Sequence, residues 1–483
     1  MAVMTIETTL TEAPPEADEG GGARQSIALV LLWSQEEPQR VGEVLSLPLA
    51  RGVVFSIGRA AGLAEDGSLP LLFRRLRPIS AEITGPFTAP HVSRQQLRVA
   101  TVGEDRIEVE LTGRGVMRVR GEETGRAMVA VGELIEVVGR FILLVSRRPL
   151  EWPQARAEGA SFAFGEADRD GIVGESPAIW RLRARLAFLR RREEHVLVYG
   201  PSGVGKELVV RALHRGSRRE EQPLIARNAA TLPEGLIDAE LFGNVANYPS
   251  VGAPERRGLV GEADGGTLFL DEIGELSHGQ QAHLLRVLDQ GEYQRLGEGL
   301  TRRTDVRLIC ATNRDLSVVK HDLLARLIHK VAVPGFEARV EDVVLLARHL
   351  ARGFAAEDPA LARRLLAGGG PRLSARFVLA LACHEFTAHT RELAALLWRS
   401  IAEGAADEAA VLDAPEGFVA RFRAVRPAEA EAAATPVDPK ELTRAEIVAA
   451  LERSGGVREL AWRDLGLRSR DQLKRLMKKY GIG

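Results

Sequence analysis

The chain has little cysteine, no net charge to speak of and no long apolar run, and each shortage excludes something. Two cysteines, Cys310 and Cys383, in 483 residues leave no room for a disulfide framework or a cysteine-rich zinc cluster. Cys310 lies in an apolar run and reads as core. With 65 basic against 66 acidic residues the net charge is -1, so any nucleic-acid surface has to be local. No apolar run reaches the roughly 18 residues of a membrane span. The first residues are acidic, with proline and glycine, unlike a signal peptide. A cytoplasmic protein behind a disordered tail, residues 1–23, is therefore expected. The length suggests two to four domains, and an apolar share of 45% gives each a core.

What is present centres on His195 to Glu207. The apolar run Val196 to Tyr199 breaks into Gly200-Pro201-Ser202-Gly203-Val204-Gly205-Lys206-Glu207, followed at once by the helical pattern Leu208 to Leu213. This is a buried strand, a phosphate loop and a helix start. Glycines at 200, 203 and 205 let successive amides turn toward a triphosphate, the helix N-terminus adds its dipole, and Lys206 supplies a point charge. By itself the pattern is ambiguous, because Glu207 stands where a magnesium-binding hydroxyl is usual. A second element, GGTLFLDE from Gly265 to Glu272, delivers two acids from the end of an apolar strand. That suits magnesium coordination by Asp271 and water polarisation by Glu272, or else a helix cap. Val306 to Ala311 is a further strand, ending in Thr312-Asn313. Strands alternating with helices imply an α/β sheet with ligands at its carboxyl edge. Asn313 there would sense the outer phosphate or serve as a turn residue.

Upstream, from about 24 to 148, short apolar or alternating runs separated by glycine and proline read as an all-β sandwich: Ile27 to Trp33, Val53 to Ile57, Gln96 to Val102, Arg106 to Leu111, Met117 to Val119, Leu134 to Val138 and Phe141 to Val145. FSIGR, from Phe55 to Arg59, and HVSR, from His91 to Arg94, resemble the two signature loops of forkhead-associated domains. The resemblance implies a phosphothreonine reader in which Arg59 and Ser93 grip phosphate and Arg94 supports the loop; the alternative is a sandwich kept for intramolecular docking. A guanidinium fork and a hydroxyl suit a phosphate dianion. Gln96 stands where that family has histidine, and its later Asn-Gly pair is missing near Gly113 to Val116. Residues 149–170 read as a linker.

From Gly171 the motifs form an ordered run: GIVGESPA, GPSGVGKE, NAATLP from Asn228, ELFG from Glu240, GGTLFLDEIGEL, LLRVL from Leu284, GEYQRLG from Gly291 and ATN from Ala311. Together they resemble the AAA+ domain of bacterial sigma-54-dependent activators, in which glutamate normally follows the loop lysine. The resemblance implies an ATPase core over 171–340 and a helical lid over 341–412, using ATP and Mg2+ in a ring, expected as a hexamer. It further implies that the loop from Gly200 to Glu207 binds the nucleotide, with Lys206 on its phosphates, that Asp271 holds the metal, Glu272 activates water, Asn228 restrains Glu272 and Asn313 is the first sensor. Arg391, in FTAHTREL from Phe386, would be the second sensor. A trans-acting cation would come from Arg326, with Lys320 at the other position. Lysine there keeps the charge without the bidentate fork. The loop that presses on sigma-54 falls on Asn247-Tyr248-Pro249-Ser250-Val251-Gly252, which lacks the family's phenylalanine and threonine, and Pro249 stiffens it.

After a linker over 413–440, residues 441–483 read as three short helices. Leu442 to Leu451 is the first, and Val457, Leu460, Ala461 and Leu465 follow helical spacing. Ser469 caps the last helix, in which Leu473, Leu476, Met477 and Tyr480 form one stripe. Arg470, Gln472, Lys474, Arg475, Lys478 and Lys479 fall largely outside it, as a DNA-backbone footprint or a solvated face. The segment resembles the Fis-type helix-turn-helix of the same activators, which implies an upstream DNA site; Gln472 and Arg475 are the better base readers. The expected whole is a sandwich, an α/β ATPase with a lid, and a small all-α DNA-binding end. Its function would be ATP-driven remodelling of sigma-54 polymerase under phosphothreonine control. The alternative is a nucleotide-controlled DNA-binding regulator that does not engage sigma-54. A third is a phosphate-responsive scaffold with an inactive ATPase, which the paired acids disfavour.

Overall fold

The computed structural model describes residues 25–48, 52–78, 80–150, 162–366, 370–404, 411–422, 443–453, 465 and 470–480. The expected tail, most of the second linker and the middle helix of the carboxyl-terminal segment lie outside them. The chain divides into two compact units, the break falling between Phe422 and Arg423.

In the first unit, an eight-stranded and a five-stranded sheet face each other. The strand Gln25–Ser34 pairs antiparallel with Phe141–Pro149 on one side and Val44–Ser46 on the other. Its side chains alternate between two cores: Ile27, Leu29 and Leu31 point into the sandwich, while Ala28, Val30 and Leu32 join the lid's core. An apolar run without alternation is what a strand covered on both faces requires. The seven expected runs are strands. Among the described residues six others are added, including Phe73–Arg77, Ser80–Gly85 and Arg126–Ala130. Ser80–Gly85 is an edge strand with no buried residue, so it carries no apolar alternation to read.

The sandwich and the α/β domain share packing, and the expected linker is in part structural. Phe162 stacks on Trp180 at 6.0 Å, with the Arg77 and Arg183 guanidiniums over its ring. Arg77 also pairs with Glu175 at 2.6 Å, and Glu166 with Arg352. The two aromatics at 162 and 164 are what pull this segment, read as linker, into contact. Trp33 Nε1 donates to Leu373 O at 2.8 Å, and Arg148 meets Glu341 at 2.9 Å, both side chains nearly fully buried. Paired buried charges of this kind fix register more than they add stability.

The core of the α/β domain is a five-stranded parallel sheet in the order Leu224–Asn228, Thr267–Asp271, Arg307–Thr312, Val196–Tyr199, His329–Ala332. The phosphate-loop strand thus sits between the fourth and fifth strands in sequence, where strand order reverses and a crevice opens at the carboxyl edge. Ser176 caps the helix Pro177–Arg190 by accepting from Ile179 N, and a Ser277/Gln280 capping box starts His278–Gln290. Arg307 is fully buried and donates to Leu213 O, Leu189 O and Glu194 O. It satisfies carbonyls at the ends of two helices, where a cation opposes the helix dipoles. The lid helices are Val343–Glu357, Pro359–Leu365, Ala375–Cys383 and His389–Glu403. Among the described residues no helix is long and apolar enough to cross a membrane.

In the second unit, helices Arg444–Arg453 and Arg470–Tyr480 enclose Ile447, Ala450, Leu465, Leu473, Leu476 and Met477.

Candidate nucleotide site and its neighbours

The phosphate loop has the backbone its glycines permit: φ is +151° at Gly200, +77° at Gly203 and +101° at Gly205. A Cβ at Gly200 would lie 2.6 Å from Val333 O, and one at Gly203 2.1 Å from Ala388 O, so neither position admits a side chain. Gly205 is the N-cap of Lys206–His214, which aims that helix's N-terminus into the loop. Lys206 is 8% exposed and donates from Nζ to Gly200 O at 3.1 Å and Pro201 O at 3.2 Å. Burial depresses its pKa, Glu272 and Asp271 oppose that, and Arg391 adds to it.

Asp271 ends its strand beside Asn228, which ends the neighbouring one. Glu272 follows in the left-handed region, at φ 54° and ψ 49°. A non-glycine residue held there stores local strain, and such residues concentrate at working sites. Glu272 Oε2 accepts from Asn313 N at 3.1 Å, so the fourth strand's end orients the glutamate through its backbone. Arg391 Nη1 donates to Ser202 Oγ at 3.2 Å, and Thr390 N to Gly203 O at 3.1 Å. The lid therefore closes directly on the loop.

Two expectations need correction. Asn228 Nδ2 lies 3.4 Å from Asp271 Oδ2, so its amide rests on the aspartate and not on Glu272; its Oδ1 is occupied as acceptor for Ala230 N. Glu207 turns outward and pairs with Arg211 one helical turn on, away from the loop. Arg326 and Lys320, expected to act on a neighbouring subunit, are engaged within the chain. Arg326 pairs with Asp289, while Lys320 is the N-cap residue of His321–Arg326 and donates its backbone N–H to Gln281 Oε1.

His389 escaped the sequence reading. It is buried, its φ is +43°, its Nδ1 accepts from Phe336 N at 3.2 Å, and its ring meets Phe336 edge-on. It pins the lid turn that carries Arg391 to the end of the sheet. Its place three residues after Phe386 was the available signal.

In the sandwich, Arg59 and Ser93 lie on adjoining loops: Arg59 Nε donates to Val92 O at 2.6 Å, and Arg59 N to Ser93 O at 3.1 Å. Ser93 Oγ accepts from Arg114 N. The side chain of Arg94 is exposed, so the loop support expected of it comes instead from its carbonyl, which accepts from Ala60 N. Gln96, fully buried, ties the loops together by accepting from Ser93 N at 3.0 Å and from Arg140, and donating to Arg114 O at 2.9 Å.

The segment at Asn247–Gly252 folds on itself. Asn244 Nδ2 lies within 3.2 Å of Val245 O, Tyr248 O and Pro254 O, and Asn247 Oδ1 accepts from Gly252 N at 2.9 Å. Tyr248 rests against Gly297, and Val251 is 96% exposed at the tip. On the last helix, Lys474, Arg475, Lys478 and Lys479 are exposed opposite the buried stripe. The side chains of Arg470 and Gln472 lie outside the described residues.

Among the described residues no group of three or more His, Cys, Asp or Glu could hold a metal. The edge instead offers Asp271 and Glu272 beside a phosphate loop, and one such carboxylate fits Mg2+ arriving with phosphate oxygens and water as its other ligands.

Residues 172–334 match the sigma-54 interaction domain family. The transcriptional regulatory protein ZraR of Salmonella typhimurium is 35% identical over 338 residues, covering 66% of this chain and 71% of that protein. The Nif-specific regulatory protein of Bradyrhizobium diazoefficiens is 33% identical over 359 residues, 65% of this chain and 60% of that one. The structure of NtrX from Brucella abortus in complex with ATP aligns with a TM-score of 0.45 at 28% identity, over 64% of this chain and 70% of that one.

Proposed function

This chain belongs to the family of sigma-54-dependent transcriptional regulators, and from that premise we propose that it uses ATP in a ring oligomer, taken as a hexamer, to remodel promoter-bound sigma-54 polymerase. The observation that carries this is the convergence of Lys206, Asp271, Glu272, Asn313 and Arg391 on one sheet edge. ATP and Mg2+ would supply the transferable phosphoryl group and the charge that neutralises it. The residues' own tasks follow from their placement. Lys206, held on two loop carbonyls, exchanges those for outer phosphate oxygens. Asp271 holds the metal. Glu272, oriented by Asn313 N, accepts a proton from the attacking water. Arg391 reports the loop's occupancy to the lid through Ser202.

Arg326, with Lys320 in a lesser role, acts on the neighbouring subunit's nucleotide. A cation that arrives only on assembly ties turnover to the ring. The exposed cations of the last helix bind an upstream DNA site, which places the protein in the cytoplasm. Arg59 and Ser93 receive a phosphothreonine peptide, and the sandwich passes that signal to the lid it packs against. The self-bonded loop at Asn247–Gly252 favours a second reading, in which nucleotide sets the assembly of a DNA-binding regulator that leaves sigma-54 alone.

Open-complex formation by sigma-54 polymerase on a template bearing the DNA site separates the two. Open complexes with the wild type and none with Glu272→Gln are expected. ATP hydrolysis and DNA binding without open complexes would establish the second reading instead.

A further inference from the structure

A cavity of about 350 Å3 lies in the seam between the sandwich and the lid. Its walls come from both bodies: Leu32, Trp33 and Val41 from the sandwich, Val344, Leu373 and Ala375 from the lid. Trp33 is a fixed wall, since its indole N–H is bound to Leu373 O. A half-buried cation lines this largely apolar space, along with Ser34, Gln35 and Ser374. Arg348, on the lid helix Val343–Glu357, donates from Nη1 to Pro38 O at 2.9 Å, while its Nε is buried without a hydrogen-bond partner. Among the described residues no carboxylate pairs with it, because the nearby Glu166 is taken by Arg352. Burial, and then the neighbouring Arg352, disfavour the charge on Arg348, while the field of Glu166 favours it. A second cation, Arg372, lines the same space and is exposed.

We propose that this cavity binds a small organic monoanion: a carboxylate facing Arg348, carried on an apolar body of about ten to fifteen heavy atoms that fills the walls. A guanidinium nitrogen buried without a hydrogen-bond partner is costly, and a carboxylate is its best complement. A neutral apolar molecule leaves that cation unpaired, and inorganic phosphate leaves the apolar walls empty. The volume lies at the small end of the range for ligand pockets, and a site between two bodies is a common location for one. Because the walls belong to two bodies, a bound molecule stabilises their docked arrangement and biases the lid. The site is separate from the phosphate loop and from the Arg59 and Ser93 loops, so it stands whatever becomes of either.

The test is titration of the full-length protein with 4-phenylbutyrate and its neutral amide, 4-phenylbutanamide, followed by tryptophan fluorescence and by calorimetry. Saturable binding of the carboxylate is expected, at least about tenfold tighter than the amide. The fluorescence change is lost in Trp33→Phe, while the calorimetric heat remains. Ala375→Phe fills the cavity and abolishes binding. Arg348→Met erases the preference for the carboxylate over the amide, and Arg348→Lys retains it; circular dichroism of each variant establishes that it is folded. Absence of saturable heat with the wild type, or equal affinity in Ala375→Phe, overturns the proposal.

Discussion

The carboxyl edge of the parallel sheet and the loop at Asn247–Gly252 use their polar groups in opposite ways. At the edge, the side chains of Lys206, Asp271 and Glu272 rest on groups that a ligand can displace or share: loop carbonyls, an amide at 3.4 Å and two backbone N–H groups. In the loop, Asn244 and Asn247 close on the loop's own backbone, leaving Val251 as the outward group. The difference teaches that the two ends of the machine are under different constraints. One is preorganised for something that arrives; the other is stable as it stands.

The largest effects that would sharpen this contrast lie at the edge. Glu272→Gln is expected to lower ATP hydrolysis by about 10²–10⁴-fold while leaving nucleotide binding intact. Lys206→Ala is expected to lower it by about 10²-fold or more, with binding weakened as well. Phosphate release and equilibrium nucleotide binding check both. If Tyr248→Ala lowered hydrolysis comparably, the contrast would be broken, because the loop would then be part of the fuel end.

Next in size is the footing of the edge. His195 precedes the phosphate-loop strand and accepts from Leu308 N at 3.0 Å through Nδ1. Burial, reinforced by Arg307, holds its pKa at about 4 against an ordinary 6.5. Because the folded value is the lower one, the unfolded chain takes up the proton first. Stability is therefore complete above pH 6.5 and is lost as pH falls from there toward 4, by about 3 kcal/mol from this group. Chemical denaturation across that window should show the loss, and His195→Leu should flatten it. At the start of the adjacent strand, Arg307→Met strands helix-end carbonyls and is expected to cost about 2 kcal/mol in the same assay. The smallest effect belongs to the loop: Asn244→Ala should cost about 1 kcal/mol and speed proteolysis near Val251, with ATP hydrolysis unchanged.

Much of the edge was legible because its signals are local. A glycine loop, a lysine and two acids at strand ends are written in contiguous residues, and the parallel sheet follows from alternating strands and helices. Gln96 was legible only as a departure. Its role depends on Arg114, 18 residues on, and Arg140, 44 residues on, which no local pattern relates. Glu207 was misplaced because adjacency to Lys206 says nothing about which face of the helix it occupies. Asn228 was assigned to Glu272 because the two acids are adjacent in sequence, whereas the strand register sets Asn228 opposite Asp271 and its amide rests there. The run from Ile27 to Trp33 already carried the mark of a strand covered twice, but what covers it comes from residues more than three hundred positions later.

That doubly covered strand sets a rule for exchanging parts. Ala28, Val30 and Leu32 belong as much to the lid as to the sandwich. A chimaera cut in the segment before Gly171 would give the borrowed sandwich a counterface built for another strand, and would leave the lid with an apolar wound. Transplants that work should carry the face of Val343–Glu357 along with the strand, so the true boundary of the amino-terminal module runs through the lid.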